Sequence, residues 1–160
     1  LMSSDGALAS IEITEIAFID EAPPPMVPLS GWSVVPSLTN APYTLESTES
    51  SLSLELDAVD TSSRVTIKQL AVPALSLDDF SYVNVSVSGT GNARVLLRFF
   101  MDDGSSFDVT YWADPATLDA VMFGLSAYAG RTLRGDAYIA LMSSDGALAS
   151  IEITEIAFEP

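Results

Sequence analysis

Cysteine and histidine are both missing from the 160 residues. Without them the chain has no thiolate or imidazole ligand for zinc, no cysteine nucleophile and no triad built on an imidazole base. Basic residues are scarce as well: five arginines and one lysine stand against 22 acidic residues and leave a net charge of −16. Such a charge repels a nucleic-acid backbone and an anionic lipid surface alike. No apolar run approaches the roughly 18 residues needed to span a bilayer, so neither nucleic acid nor membrane insertion is expected. The chain opens on Leu1, without an initiator methionine or a signal peptide, and reads as a mature or excised piece. What is present is a 48% hydrophobic share, enough to fill one core of domain size, and a single sandwich or barrel is expected.

Residues 1–18, LMSSDGALASIEITEIAF, recur letter for letter as residues 141–158. Convergence on a strand pattern would not preserve solvent-facing Ser, Thr and Glu positions, so this is duplicated genetic material. Three origins are open. The segment is the tail of a preceding repeat in a tandem array, a strand donated to a neighbouring subunit by β-augmentation, or a duplication introduced on purpose. A Pro-rich stretch over 19–28, with Pro23, Pro24 and Pro25 in a row, favours a stiff extended spacer. The complete module is therefore placed at 29–158.

The body reads as strands. Leu52, Leu54 and Leu56 alternate with polar residues, as do Val65 and Ile67, and Val83, Val85 and Val87, the period of half-buried antiparallel strands. Further strands are expected at 94–101, 106–112, 119–124, 136–142 and 148–158, with a short edge strand near Trp32 to Val35 and one helical turn at Leu125–Ala129 ended by Gly130. In the last strand Ile151 and Ile153 share one parity while Ile156 and Phe158 share the other, so a bulge near Thr154–Glu155 is predicted. The expected architecture is all-β, an antiparallel two-sheet β-sandwich of jelly-roll type.

The hairpin around Asp102-Asp103-Gly104 can be solved in register. A type I turn closed by a left-handed Gly104 pairs Phe99 with Phe107, Arg98 with Asp108, Leu97 with Val109, Val95 with Tyr111, and Arg94 with Trp112. One face is then apolar, and the other carries Arg94, Arg98, Asp108, Thr110 and Trp112. That polar face suits a sugar: the indole offers a flat apolar platform while Arg and Asp hydrogen-bond hydroxyl groups. It equally suits a purely structural role, with Arg98–Asp108 as a cross-strand pair and Arg94 stacked on Trp112, or packing against a neighbouring module. Asn84-Val85-Ser86 is an N-glycosylation sequon, and the Ser/Thr-rich stretch from Thr44 to Ser63 suits O-glycans or solvated strand edges and turns. Asp102, Asp103 and Asp108 are oxygen ligands of the kind calcium takes, without the spacing of a known loop. Asp78, Asp79, Asp114 and Asp119 read as loop residues, and no two carboxylates are singled out for glycosidic cleavage. No cofactor is expected, a structural calcium being the one candidate, and the identity of any metal is left open.

The hairpin Arg94–Gly104, the stretch Phe123–Arg131 and the closing Ser150–Phe158 together resemble the jelly-roll carbohydrate-binding modules with a galactose-binding-like β-sandwich. The resemblance covers roughly Trp32 to Phe158. It implies a non-catalytic sandwich, often appended to secreted proteins, with a structural calcium and a sugar site on a sheet face or loops, and it carries Trp112, Arg94 and Arg98 over as sheet-face contacts. Two functions follow. The leading expectation is a structural module of an extracellular or cell-surface tandem-repeat or filamentous protein, whose partners are copies of itself or adjacent repeats. Its joint would be residues 1–18, which bury Ile11, Ile13, Ile16 and Phe18 at about 1.5–3 kcal/mol each. The competing one is a glycan-binding module centred on Trp112.

Overall fold

The computed structural model describes residues 22–112 and 120–160. Ten strands are present among them: β1 (Ser33–Val34), β2 (Tyr43–Ser47), β3 (Leu52–Leu56), β4 (Arg64–Gln69), β5 (Tyr82–Thr90), β6 (Ala93–Met101), β7 (Ser106–Trp112), β8 (Ala120–Gly124), β9 (Leu133–Ser143) and β10 (Ala149–Glu159). They form two antiparallel five-stranded sheets, β1-β4-β9-β6-β7 and β2-β3-β10-β5-β8, called the first and second sheet below. The protein is thus an all-β sandwich of jelly-roll type, as the alternation predicts. The apolar parity of each strand turns inward because burying one face of a sheet on another is what removes those side chains from water.

Aromatic residues bridge the two layers. Phe99 of β6 meets Phe158 of β10 edge-on at 5.5 Å, and Phe107 of β7 stacks on Phe123 of β8 at 5.6 Å. Phe99 and Phe158 are both fully buried. The β6–β7 hairpin has the register derived above, from Arg94↔Trp112 to Phe99↔Phe107, and Gly104 closes it at φ 84°. The bulge in β10 also lies where the broken alternation puts it, between Ile153 and Glu155, so that Ile151, Ile153, Ile156 and Phe158 all reach the core. The helical turn is a 3₁₀ turn at Ser126–Tyr128.

Three differences from expectation have local causes. Strand β2 emerges inside the stretch read as strand edges and turns; it is an edge strand whose residues are all exposed or only half-buried, so its apolar signal is weak. Strand β9 is longer than expected, running through Gly135 back to Leu133, because a glycine at φ 103° interrupts the pattern without ending the pairing. The spacer placed at 19–28 is not free at its end. The Val27 N–H donates to the Ile156 carbonyl, and the Phe158 N–H donates to the Pro25 carbonyl. Val27 is buried, and the Pro28 carbonyl accepts from the Trp32 indole and the buried Gln69 amide. The sandwich therefore begins near Pro25, and its entry lies beside its exit. Residues 1–18, with Ile11, Ile13, Ile16 and Phe18, lie outside the described residues, as do Asp114 and Asp119.

Two glycines separate backbone strain from steric room. Both have positive φ, 85° at Gly91 and 84° at Gly104, but a Cβ on Gly91 would lie 2.5 Å from the Leu148 carbonyl oxygen while one on Gly104 would meet nothing within 4 Å. Gly104→Ala is expected to cost about 1–2 kcal/mol from the left-handed backbone alone, and Gly91→Ala roughly 2–5 kcal/mol once overpacking is added. Urea unfolding of the two variants measures the gap; equal losses would contradict this account of the β5–β6 turn.

Tyr111 gives a pH-dependent test. Its side chain is buried, and its hydroxyl has no hydrogen-bond partner among the described residues. Burial pushes that hydroxyl well above the ordinary tyrosine range. The unfolded chain ionises it near pH 10 while the folded chain holds the proton, so its contribution to stability is intact below about pH 10 and drains away as pH rises further. Tyr111→Phe is expected to be as stable as the parent at pH 7, or up to about 1 kcal/mol more so, and to lose stability less steeply above pH 10. Denaturant titrations from pH 7 to 11 check both.

Candidate functional site

Because β4, β9, β6 and β7 are neighbours, the parity that turns Val65, Ile139, Leu97 and Val109 into the core turns a second set of side chains outward on the first sheet. Backbone pairing sets that outer set in rows. Arg64, Met142, Arg94 and Trp112 form one, Thr66, Ala140, Leu96 and Thr110 the next, and Lys68, Tyr138, Arg98 and Asp108 the third. All five residues singled out for sugar contact, Arg94, Arg98, Asp108, Thr110 and Trp112, thus share one face.

The details differ from residue to residue. Arg98 and Asp108 form a two-pronged pair at 2.7 and 2.8 Å. With side chains 41% and 34% exposed, solvent screens this pair, and its net worth is at most about 1 kcal/mol. Its hydrogen bonds to Asp108 raise the Arg98 pKa, keeping the guanidinium charged. Trp112 is 52% exposed on the edge strand β7. The stacking of Arg94 on that indole is not among the contacts of the described residues; the guanidinium–ring contact on this sheet is instead Arg134 over Phe100 at 5.0 Å. Phe100 also meets Tyr138 edge-on at 5.2 Å, so the face carries aromatic surface at both ends.

Between them lies a hollow of about 150 Å³. Its floor is Ala140 and Leu96, its walls are Tyr138, Met142 and Leu38, and Arg64 and Arg98 stand at its rim. It exists because β9 places a small alanine between Tyr138 and Met142, and because the 3₁₀ turn Pro36–Leu38 folds onto the end of β4. The Thr66 hydroxyl donates to the Leu38 carbonyl there. The sequence places Trp112, Arg94 and Arg98 on one strand-pair face but gives no sign of the hollow, since Leu38, Arg64 and Ala140 reach it only through strand order.

The larger depression, about 540 Å³, is on the outer face of the second sheet. Its lining is rich in hydroxyl and carboxylate groups, with Glu46, Ser53, Glu55, Ser88, Thr90 and Glu152 prominent beside Leu54 and Ile151, and no ring contributes to it. A sugar there would find hydrogen-bonding groups but no aromatic platform. Asn84 is on the same sheet, flanked in register by Met122 and Ala157; it is half-buried, and its side-chain oxygen is buried without a hydrogen-bond partner among the described residues. The acidic residues proposed for calcium are not brought together. Asp108 is engaged by Arg98, while Asp103, at the hairpin tip, accepts from the Ser105 N–H and pairs with Arg131. Among the described residues no group of three or more acidic side chains is placed to hold a metal ion, and no helix is long and apolar enough to cross a membrane.

No family model and no curated protein matches the chain. Solved structures do. A CBM4 carbohydrate-binding module is matched at a TM-score of 0.53 and 13% identity, over 81% of this chain and 94% of that one. An exo-β-agarase is matched at a TM-score of 0.53 and 12% identity, over 84% of this chain. The chain spans about a quarter of that enzyme, 24% of its length. At such identities the likeness is one of fold, and the fold is the jelly-roll sandwich of the carbohydrate-binding modules.

Proposed function

We propose that the chain is a non-catalytic carbohydrate-binding module, acting in an extracellular or cell-surface setting, whose saccharide site is the outer face of the first sheet. The observation that carries this reading is the half-exposed Trp112 indole in register with Arg94, on the same face as the apolar hollow at Ala140 and Leu96. A sugar ring has apolar C–H faces and a polar rim of hydroxyls. The indole and the hollow supply flat apolar contact, and Arg94, Arg98, Asp108 and Thr110 supply donors and acceptors around it. The fold shared with a CBM4 module supports the reading.

The structural module joined through residues 1–18 is the weaker alternative. The counterpart of that segment is the end of β9 together with β10, and β10 is already paired with β5 along one edge and with β3 and then Met26 along the other. A donated copy would have to displace the chain's own last strand. The tail of a preceding repeat needs no such exchange, and it is compatible with a sugar-binding role for each repeat.

A glycan array followed by calorimetric titration of the full chain tests the proposal. Trp112→Ala is expected to weaken binding of the best saccharide at least tenfold while leaving stability within about 0.5 kcal/mol, as for an exposed side chain outside the core. Glu152→Gln, on the opposite sheet, is expected to change neither. Unchanged affinity in Trp112→Ala, or lost affinity in Glu152→Gln, would move the site to the other face.

A further inference from the structure

The sandwich is electrically two-sided. Of the six basic residues in the chain, five have outward positions on the first sheet: Arg64 and Lys68 on β4, Arg94 and Arg98 on β6, and Arg134 on β9. Two of these are neutralised in place, Arg98 by Asp108 and Arg134 by Asp136. Arg64, Lys68 and Arg94 have no carboxylate within ion-pairing distance among the described residues. The outer face of the second sheet carries Glu46, Glu55, Glu152, Glu155 and Glu159 and, among the described residues, no cation. A chain of net charge −16 has thus gathered most of its positive charge on the face that also bears the indole and the hollow.

The placement is geometrically specific. Arg64 and Arg94 sit two strands apart with Met142 between them, and Lys68 and Arg98 sit two strands apart with Tyr138 between them. The two rows are four residues apart along each strand. Arg64, Lys68 and Arg94, with the Asp108-paired Arg98, therefore mark the corners of a patch of about 10 by 13 Å, from strand spacing and rise, and the floor at its centre is Ala140 and Leu96.

We infer that the ligand of this face is an anionic polysaccharide, one bearing carboxylate or sulfate groups. This rests on the face being the saccharide site proposed above. The sugar ring lies over the apolar floor, and its charged substituents reach the corners. Guanidinium groups bind carboxylate and sulfate oxygens through paired N–H donors, and Lys68 adds a point charge. Neutral sugars need no such arrangement, and elsewhere the acidic surface repels a polyanion, so attraction is confined to this one side.

Calorimetry and affinity electrophoresis on the full chain test this with three probes: polygalacturonate, a sulfated galactan and a neutral galactan. The variants are a triple Arg64→Gln/Lys68→Gln/Arg94→Gln and, as a control cation outside the patch, Arg131→Gln. Binding of at least one polyanion is expected to be tenfold or more tighter than that of the neutral galactan, and to weaken as salt is raised. The triple variant is expected to lose tenfold or more of the polyanion affinity, with Arg131→Gln unchanged and circular dichroism confirming both folds. Neutral galactan bound as tightly as either polyanion, or a triple variant as good as the parent, overturns the inference while leaving a saccharide site in place. No binding of any saccharide overturns both readings. Self-association in sedimentation that the triple variant abolishes overturns the inference in favour of the acidic face of a second copy.

Discussion

The sandwich depends on how β10 is seated. As the last strand of the chain it enters the middle of the second sheet, pairing with β5 along nearly its whole length and with β3 over its first half. Where β3 ends, Pro25–Val27 takes over the exposed edge. The bulge between Ile153 and Glu155 makes this possible, since it returns Ile156 and Phe158 to the core after the parity has slipped. Without it, half the strand would present its apolar side chains to water. Phe158 then meets Phe99 across the layers, so one irregularity in one strand couples the second sheet to the first and the amino-terminal arm to both.

That seating leaves the outer faces free to differ. A residue facing away from the core contributes little to stability, so its chemistry is open to other constraints. Around the depression on the second sheet these positions hold Ser, Thr and Glu, with Tyr82 and Met122 exposed on β5 and β8; on the first sheet they hold Arg, Lys and aromatic rings around a small apolar floor. The division is sharp because strand parity is a two-valued choice: each outward position belongs wholly to one face or the other.

Much of this was legible in the chain itself. The β6–β7 register followed from Gly104 and the matching of Phe99 with Phe107 and Arg98 with Asp108. The bulge in β10 followed from the broken alternation of its isoleucines. Strand β2 and the first residues of β9 were not legible, since an edge strand has few inward apolar positions and a glycine at positive φ hides a continuing ladder. The burial of Val27 was equally hidden, because a proline run signals an extended backbone and not what that backbone lies against.

The sequence by itself determined which residues face inward or outward along each strand, and how the one tight hairpin pairs, because alternation and turn geometry are local. It also carried the exact duplication of residues 1–18. Only the tertiary structure decided that β4 and β9 lie beside β6, bringing Arg64 and Lys68 to Arg94 and Arg98, and Leu38 over Ala140. Strand order is chosen by long-range pairing of edges and by the fit of two twisted sheets. No local pattern encodes it, and the two-sided charge of the molecule is its consequence.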